Sequence, residues 1–290
     1  PARTLAGTES STGGLTVAWN GPYPGNIIVY PGELQLHGSL AAPIPHTKEA
    51  LRLPEAWPGK PLLSVSVSQL EVLRPLQAVL SGTYVDTWMN RYLYPVAGAW
   101  HLPHLAEAWD QSLKELGAAL YEVDMSAPTP VPAIAFAFRD QSAGTQAHPW
   151  WPIIAEAHPV SASWNALPGW ILPVLGEKFS ICLAQDDTTW LAATQEPIMN
   201  RIAGRLSPTP VPANDLSVRL NCVKLGDTLA GLFRKAAELE LLPETDPRSV
   251  DRDWIPYARV IGRLGMFSFD ASSDGEQLLF SARLSDVRHE

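Results

Sequence analysis

Long apolar runs are missing from this chain of 290 residues. The stretch from Ala133 to Phe138 has the length of a strand, whereas a membrane-spanning helix needs about 20 consecutive apolar residues. No helical transmembrane segment is expected. An excess of positive charge is missing too: Lys and Arg number 21 against 30 Asp and Glu, a net charge of −9. Such a surface repels phosphate backbones, whose capture requires clustered cations, so nucleic acid is not an expected partner. There is no Gly-x-x-x-x-Gly-Lys-Ser/Thr loop and no Gly-x-Gly-x-x-Gly turn after a strand, which removes the usual signatures of nucleotide binding, and no Gly-x-Ser-x-Gly elbow. No cofactor is expected.

Cysteine is scarce. Cys182 and Cys222 fit either one disulfide in an oxidising compartment or two buried thiols, and the sequence does not choose between them. Alternation puts Cys222 on the face of Val218 and Leu220, and Cys182 with Ser180 and Ala184. The chain begins at Pro1 rather than Met, which suggests that an upstream export signal or anchor has been removed.

What the chain does contain is globular composition, with 46% hydrophobic and 18% charged residues. It also contains internal similarity at about half its length. Leu63-Ser64-Val65-Ser66-Val67 alternates as a strand, and Leu216-Ser217-Val218-Arg219-Leu220 does so at an offset of 217 minus 64, or 153. At the same offset Leu70, Leu76, Val79 and Leu80 fall on Val223, Leu229, Leu232 and Phe233 with helical spacing, and Pro75 and Asp227 mark the helix starts. Arg52-Leu53 falls on Arg205-Leu206, each closing a short helical stretch. Leu116-Gly117 falls on Leu264-Gly265 at offset 148.

Each half opens and closes with a hairpin. Ile27 to Tyr30 turns through Pro31-Gly32 into Glu33 to Ser39, and Phe179 to Leu183 turns near Asp186-Asp187 into Thr189 to Thr194. Ala118 to Val123 pairs with Ala133 to Phe138, and Met266 to Asp270 with Gln277 to Leu284 through Asp274-Gly275. The fold class read from this is α+β: two pseudo-repeated modules of mainly antiparallel sheet with helices packed on one face. The boundaries are a mobile segment 1–14, a first module 15–140, a Trp- and Pro-rich connector 141–176 packed on both modules, with a short helix near 152–157, and a second module 177–290.

Chemistry-bearing patterns are sparse. His101, His104, Glu107 and Asp110 have the residue types of a metal site, and His104 and Glu107 share a helix face if a helix starts at Pro103; two histidines at a helix entrance are the simpler account. Asp270 to Gly275 imitates the start of a calcium loop, but its twelfth position is Ser281 where a bidentate Glu belongs, so a hairpin turn is the better reading. No catalytic residue is assigned. The 11 Trp residues remain: Trp150, Trp151, Trp164 and Trp170 can stack on a sugar or another apolar ligand, bury against a partner, or fill the seam between modules.

The strand Leu62 to Ser68 with its following helix, the Leu116-Gly117 and Leu264-Gly265 strand entries and the Asp274-Gly275 hairpin resemble exported bacterial proteins of unknown function built from repeated modules. That resemblance implies an envelope or periplasmic location and no known enzymatic activity. The expected function is a non-catalytic exported protein that binds a small ligand or an envelope protein at the seam between the modules. A loop-built hydrolase, with or without a metal, and a structural envelope subunit are the competing readings.

Overall fold

The structure, a computed structural model, describes residues 5–9, 15–19, 24–41, 57–72, 113–126, 130–140, 155–156, 158–174, 179–186, 189–204, 214–240 and 249–285. Its strands are β1 (Leu5–Glu9), β2 (Leu15–Trp19), β3 (Gly25–Tyr30), β4 (Glu33–Ala41), β5 (Leu63–Val67), β6 (Leu113–Asp124) and β7 (Val131–Asp140). The second half supplies β8 (Val160–Trp164), β9 (Leu167–Val174), β10 (Phe179–Asp186), β11 (Thr189–Ala193), β12 (Leu216–Asn221), β13 (Met266–Ser273) and β14 (Gln277–Ser285). Among the described residues the α-helices are α1 (Glu196–Ala203), α2 (Cys222–Glu238), α3 (Val250–Asp253) and α4 (Ile255–Arg263).

All 14 strands form one sheet, in the order β1-β2-β3-β4-β14-β13-β12-β5-β6-β7-β11-β10-β9-β8. Every pairing is antiparallel. This corrects the sequence-based fold class: the protein is mostly β, and its halves are not separate α+β modules. The reason is an exchange of strands. The opening meander β1–β4 pairs through β4 with β14 of the second half, and the second meander β8–β11 pairs through β11 with β7 of the first. Alternation shows that a segment is a strand but not which partner it meets, so this exchange is invisible to a pattern. The order nevertheless has a two-fold relation, since reading inward from either edge meets a meander, then a hairpin, then a central strand.

Other boundaries shift for local reasons. Leu5–Glu9, expected to be mobile, pairs with β2. Much of the expected connector is hairpin: β8 and β9 extend the sheet beyond β10 through the turn residues Asn165 and Ala166, both at positive φ. Only Ala155 and Glu156 of the expected 152–157 helix lie among the described residues, where they are helical. Helix α2 begins at Cys222, earlier than expected, because the Asn221 side chain accepts a bond from the Lys224 amide and caps it there.

The sheet has two unlike faces. On the face of Val65, residues Val67, Val72, Leu216, Ala271, Leu278 and Leu40 form one apolar cluster, which continues through Leu116 to Phe138, Leu183 and Trp190. On the face of Ser64, small residues dominate: Ala119, Ala133, Ala135, Ala137, Cys182, Ala184 and Ala193 leave room for α1 to seat Ile198, Met199, Ile202 and Ala203 directly on the strands. Helical elements thus approach both faces, α1 on the Ser64 face and the short 3₁₀ turn Leu70–Val72 on the Val65 face, rather than one face as the sequence suggests. Beside the sheet, α2, α3 and α4 bury Ala237, Val250 and Ile255 against Phe233.

Candidate functional site

The centre of the sheet is the pairing of β5 with β12, in which Leu63, Val65 and Val67 face Leu220, Val218 and Leu216. Their alternates, Ser64, Ser66, Ser217 and Arg219, point to the other face. Apolar residues there would need a covering layer, but α1 lies over the neighbouring strands β7, β10 and β11. The result is a polar-floored groove of about 670 Å³, lined by Trp57, Lys60, Pro61, Ser64, Ser66, Asn214, Ser217, Arg219, Asn221 and Met266. Both halves contribute to it.

The groove is held in shape by hydrogen bonds around its floor. The Oδ1 atom of Asp270 accepts from Ser217 Oγ at 2.6 Å, Arg219 Nη2 at 2.8 Å and Asn214 Nδ2 at 3.1 Å. Arg219 Nη1 also donates to the carbonyls of Val218 and Phe269, so the guanidinium is fixed from both strands while its side chain stays 41% exposed. One wall is Trp57. Its indole is buried over Gly117, where an added Cβ would lie 2.7 Å from the ring, and its Nε1 donates to Ser66 Oγ at 3.3 Å. The next turn passes Gly59 and Lys60, both at positive φ (82° and 51°), and the Lys224 Nζ donates to the Lys60 carbonyl at 2.6 Å. Among the described residues, those lining the groove include no His, Cys, Asp or Glu.

Of the tryptophans singled out by sequence, Trp164 and Trp170 are described, and neither is among the described residues lining the groove. Trp164 is buried on the Ser64 face, where its Nε1 donates to the Leu183 carbonyl at 3.1 Å. Trp170 is on the opposite face and stacks on Trp190 at 6.2 Å, which in turn stacks on Phe138. The two indoles therefore do not form one stacking platform: Trp164 is core, Trp170 packs partly buried against the other face, and the parity of β8 and β9 separates them. Trp150, Trp151, His101, His104, Glu107 and Asp110 lie outside the described residues. Among those described, no cluster of three or more His, Cys, Asp or Glu is arranged to hold a metal ion.

Cys182 and Cys222 are free and buried. Cys182 belongs to the α1 side of the core, and Cys222 is the first residue of α2 rather than a strand residue on the Val218 face. Burial pushes the Cys182 thiol up to about 11, with a smaller contribution from Glu196. Burial also raises that of Cys222, partly offset by a backbone bond from Phe267. Neither has the lowered pKa of a catalytic thiol.

The groove residues were missed because serines alternating with valines read as an ordinary solvent-facing strand. The one available signal was Arg219, the single charged side chain in the strand that otherwise repeats Leu63 to Val67. No helix among the described residues is long and apolar enough to cross a membrane. No protein-family model and no curated protein matches the chain. Among solved structures, crystal form I of TP0453 is similar over 80% of this chain and 77% of that one, with 5% identity and a TM-score of 0.32. Crystal form III of TP0453 is similar over 82% and 95%, with 6% identity and a TM-score of 0.33. At those scores the likeness assigns neither a fold family nor a function to this chain.

Proposed function

We propose that the protein is a non-catalytic binding protein whose ligand occupies the groove over the β5–β12 seam. The observation that carries this reading is a concave site with fixed polar groups, Arg219, Asn214 and Ser66 among them, on a sheet whose other central surface is packed core. Ligand sites combine such a cleft with a few oriented polar groups and an aromatic wall, here Trp57. An envelope location, which the sequence resemblance implies, is part of the proposal, and cell fractionation tests it.

The test of binding is differential scanning fluorimetry of the wild type and of Arg219→Ala against a broad panel of small metabolites. The reading predicts that some compounds raise the melting temperature of the wild type and fail to raise that of the variant. A panel without any stabilising compound, or one whose hits act equally on the variant, contradicts it.

A further inference from the structure

Although the cations of this protein are outnumbered, four of them gather at the groove. Lys60 lines the groove, and Arg219 is fixed on its floor. The Lys224 ammonium sits on the Lys60 carbonyl at 2.6 Å, and an added Cβ on Gly59, one residue away, would meet Arg201 Nη1 at 3.3 Å. Four positive groups therefore surround the loop 59–60 and the adjoining floor in a chain of net charge −9. Arg219 is matched by Asp270. Lys60, Lys224 and Arg201 form no ion pair among the described residues, so within that set positive charge is in excess beside an open cavity.

Uncompensated like charges repel one another, and an arrangement that keeps them together is relieved by a bound anion. The remaining lining suits the same class. Lys60 and Arg219 bring cationic N–H donors, and the hydroxyl of Ser64 a further one, to meet oxygen acceptors. None of the described lining residues carries a carboxylate, and the nearby Asp270 is paired with Arg219. Lys60 also adopts a backbone conformation rare for L-residues, and its carbonyl accepts from Lys224 Nζ.

We infer that the groove ligand is a small oxyanion, a carboxylate or a phosphate, bound by Lys60 and Arg219 with Lys224 and Arg201 supplying the surrounding positive field. This rests on the proposed ligand-binding role of the groove and gives it a chemical class.

The experiment is isothermal titration of the full chain at low ionic strength with inorganic phosphate, succinate and citrate, and with glycerol and glucose as neutral probes. The indole ¹⁵N–¹H resonance of Trp57, assigned by Trp57→Phe, reports groove occupancy. The expected result is that at least one of the three anions binds and moves the Trp57 resonance. Lys60→Gln weakens that binding tenfold or more, Lys60→Arg retains it, and added salt weakens it steadily. The relative affinities of phosphate and the carboxylates distinguish the two sources. If neutral probes move the Trp57 resonance while no anion does, the charge assignment is overturned and the binding role stands. If none of the five probes moves it, the inference is overturned, and the binding role then rests on the metabolite panel. Anion binding that Lys60→Gln leaves unchanged also overturns the inference, since the anion then sits elsewhere.

Discussion

Val65 and Val218 are direct partners across the antiparallel pair at the centre of the sheet. They are also the residues that the sequence offset superimposes, since 65 plus 153 is 218. An element that is both equivalent to and paired with its counterpart lies on a two-fold axis, and the groove sits on that axis on the opposite face of the same strands.

Leu278 of β14 is fully buried and faces Leu40 of β4, at the junction where the first meander joins the second half. Leu278→Ala is expected to cost about 2–5 kcal/mol, the range for a buried leucine that leaves a cavity. Because the halves share strands, urea unfolding followed by far-ultraviolet circular dichroism and by tryptophan fluorescence should stay coincident and shift together. Separate transitions would mean that the halves are independent.

Glu115 is 1% exposed and pairs with Arg139 at 2.9 Å across β6 and β7. Glu115→Ala removes a buried counter-charge from beside a largely buried guanidinium and is expected to destabilise by about 3–5 kcal/mol. Replacing both partners with apolar residues, Glu115→Leu with Arg139→Met, should recover most of that loss, as measured by chemical denaturation.

Cys182 is fully buried, and its thiol is raised from 9.0 to about 11. A raised pKa means the folded state holds the proton after the unfolded state has lost it. The stabilisation is thus complete below pH 9 and falls away as pH rises towards 11, a loss of roughly 2–3 kcal/mol from this group. Tyr121, raised by burial to about 12, continues the decline from pH 10. Cys182→Ala should flatten the pH 9–11 part of the stability curve, and the native thiol should resist a disulfide reagent at pH 8.

Much of the strand content is legible in the sequence. Pro31-Gly32 fixes the β3–β4 turn, with Gly32 at φ 73°. Asp274 organises the β13–β14 turn by accepting from the amides of Glu276 and Gln277, with Gly275 at φ 99°. Periodicity also gives Leu63 to Val67 and Leu216 to Leu220. What it cannot give is which strand lies beside β4 or β7, because an apolar alternation fits many partners equally well. The site is less legible still. Ser64, Ser66 and Ser217 acquire meaning only when β5 and β12 are set side by side, and Lys60 and Lys224, 164 residues apart in sequence, meet through a backbone carbonyl. The aromatic pattern misled for a related reason: Trp164 and Trp170 are neighbours in sequence but lie on opposite faces of one hairpin.

The pairing that forms the groove floor is tested most directly by a cysteine cross-link. In a Cys182→Ser, Cys222→Ser background, Val65→Cys with Val218→Cys should oxidise to an intramolecular disulfide, since directly opposed antiparallel residues have Cα atoms about 4.5–5.5 Å apart, within disulfide reach. Peptide mapping should find that link, and the displaced control Val65→Cys with Leu216→Cys should give little. A cross-link in the control and none between positions 65 and 218 would show that the strands do not meet in this register, and the groove would have no floor.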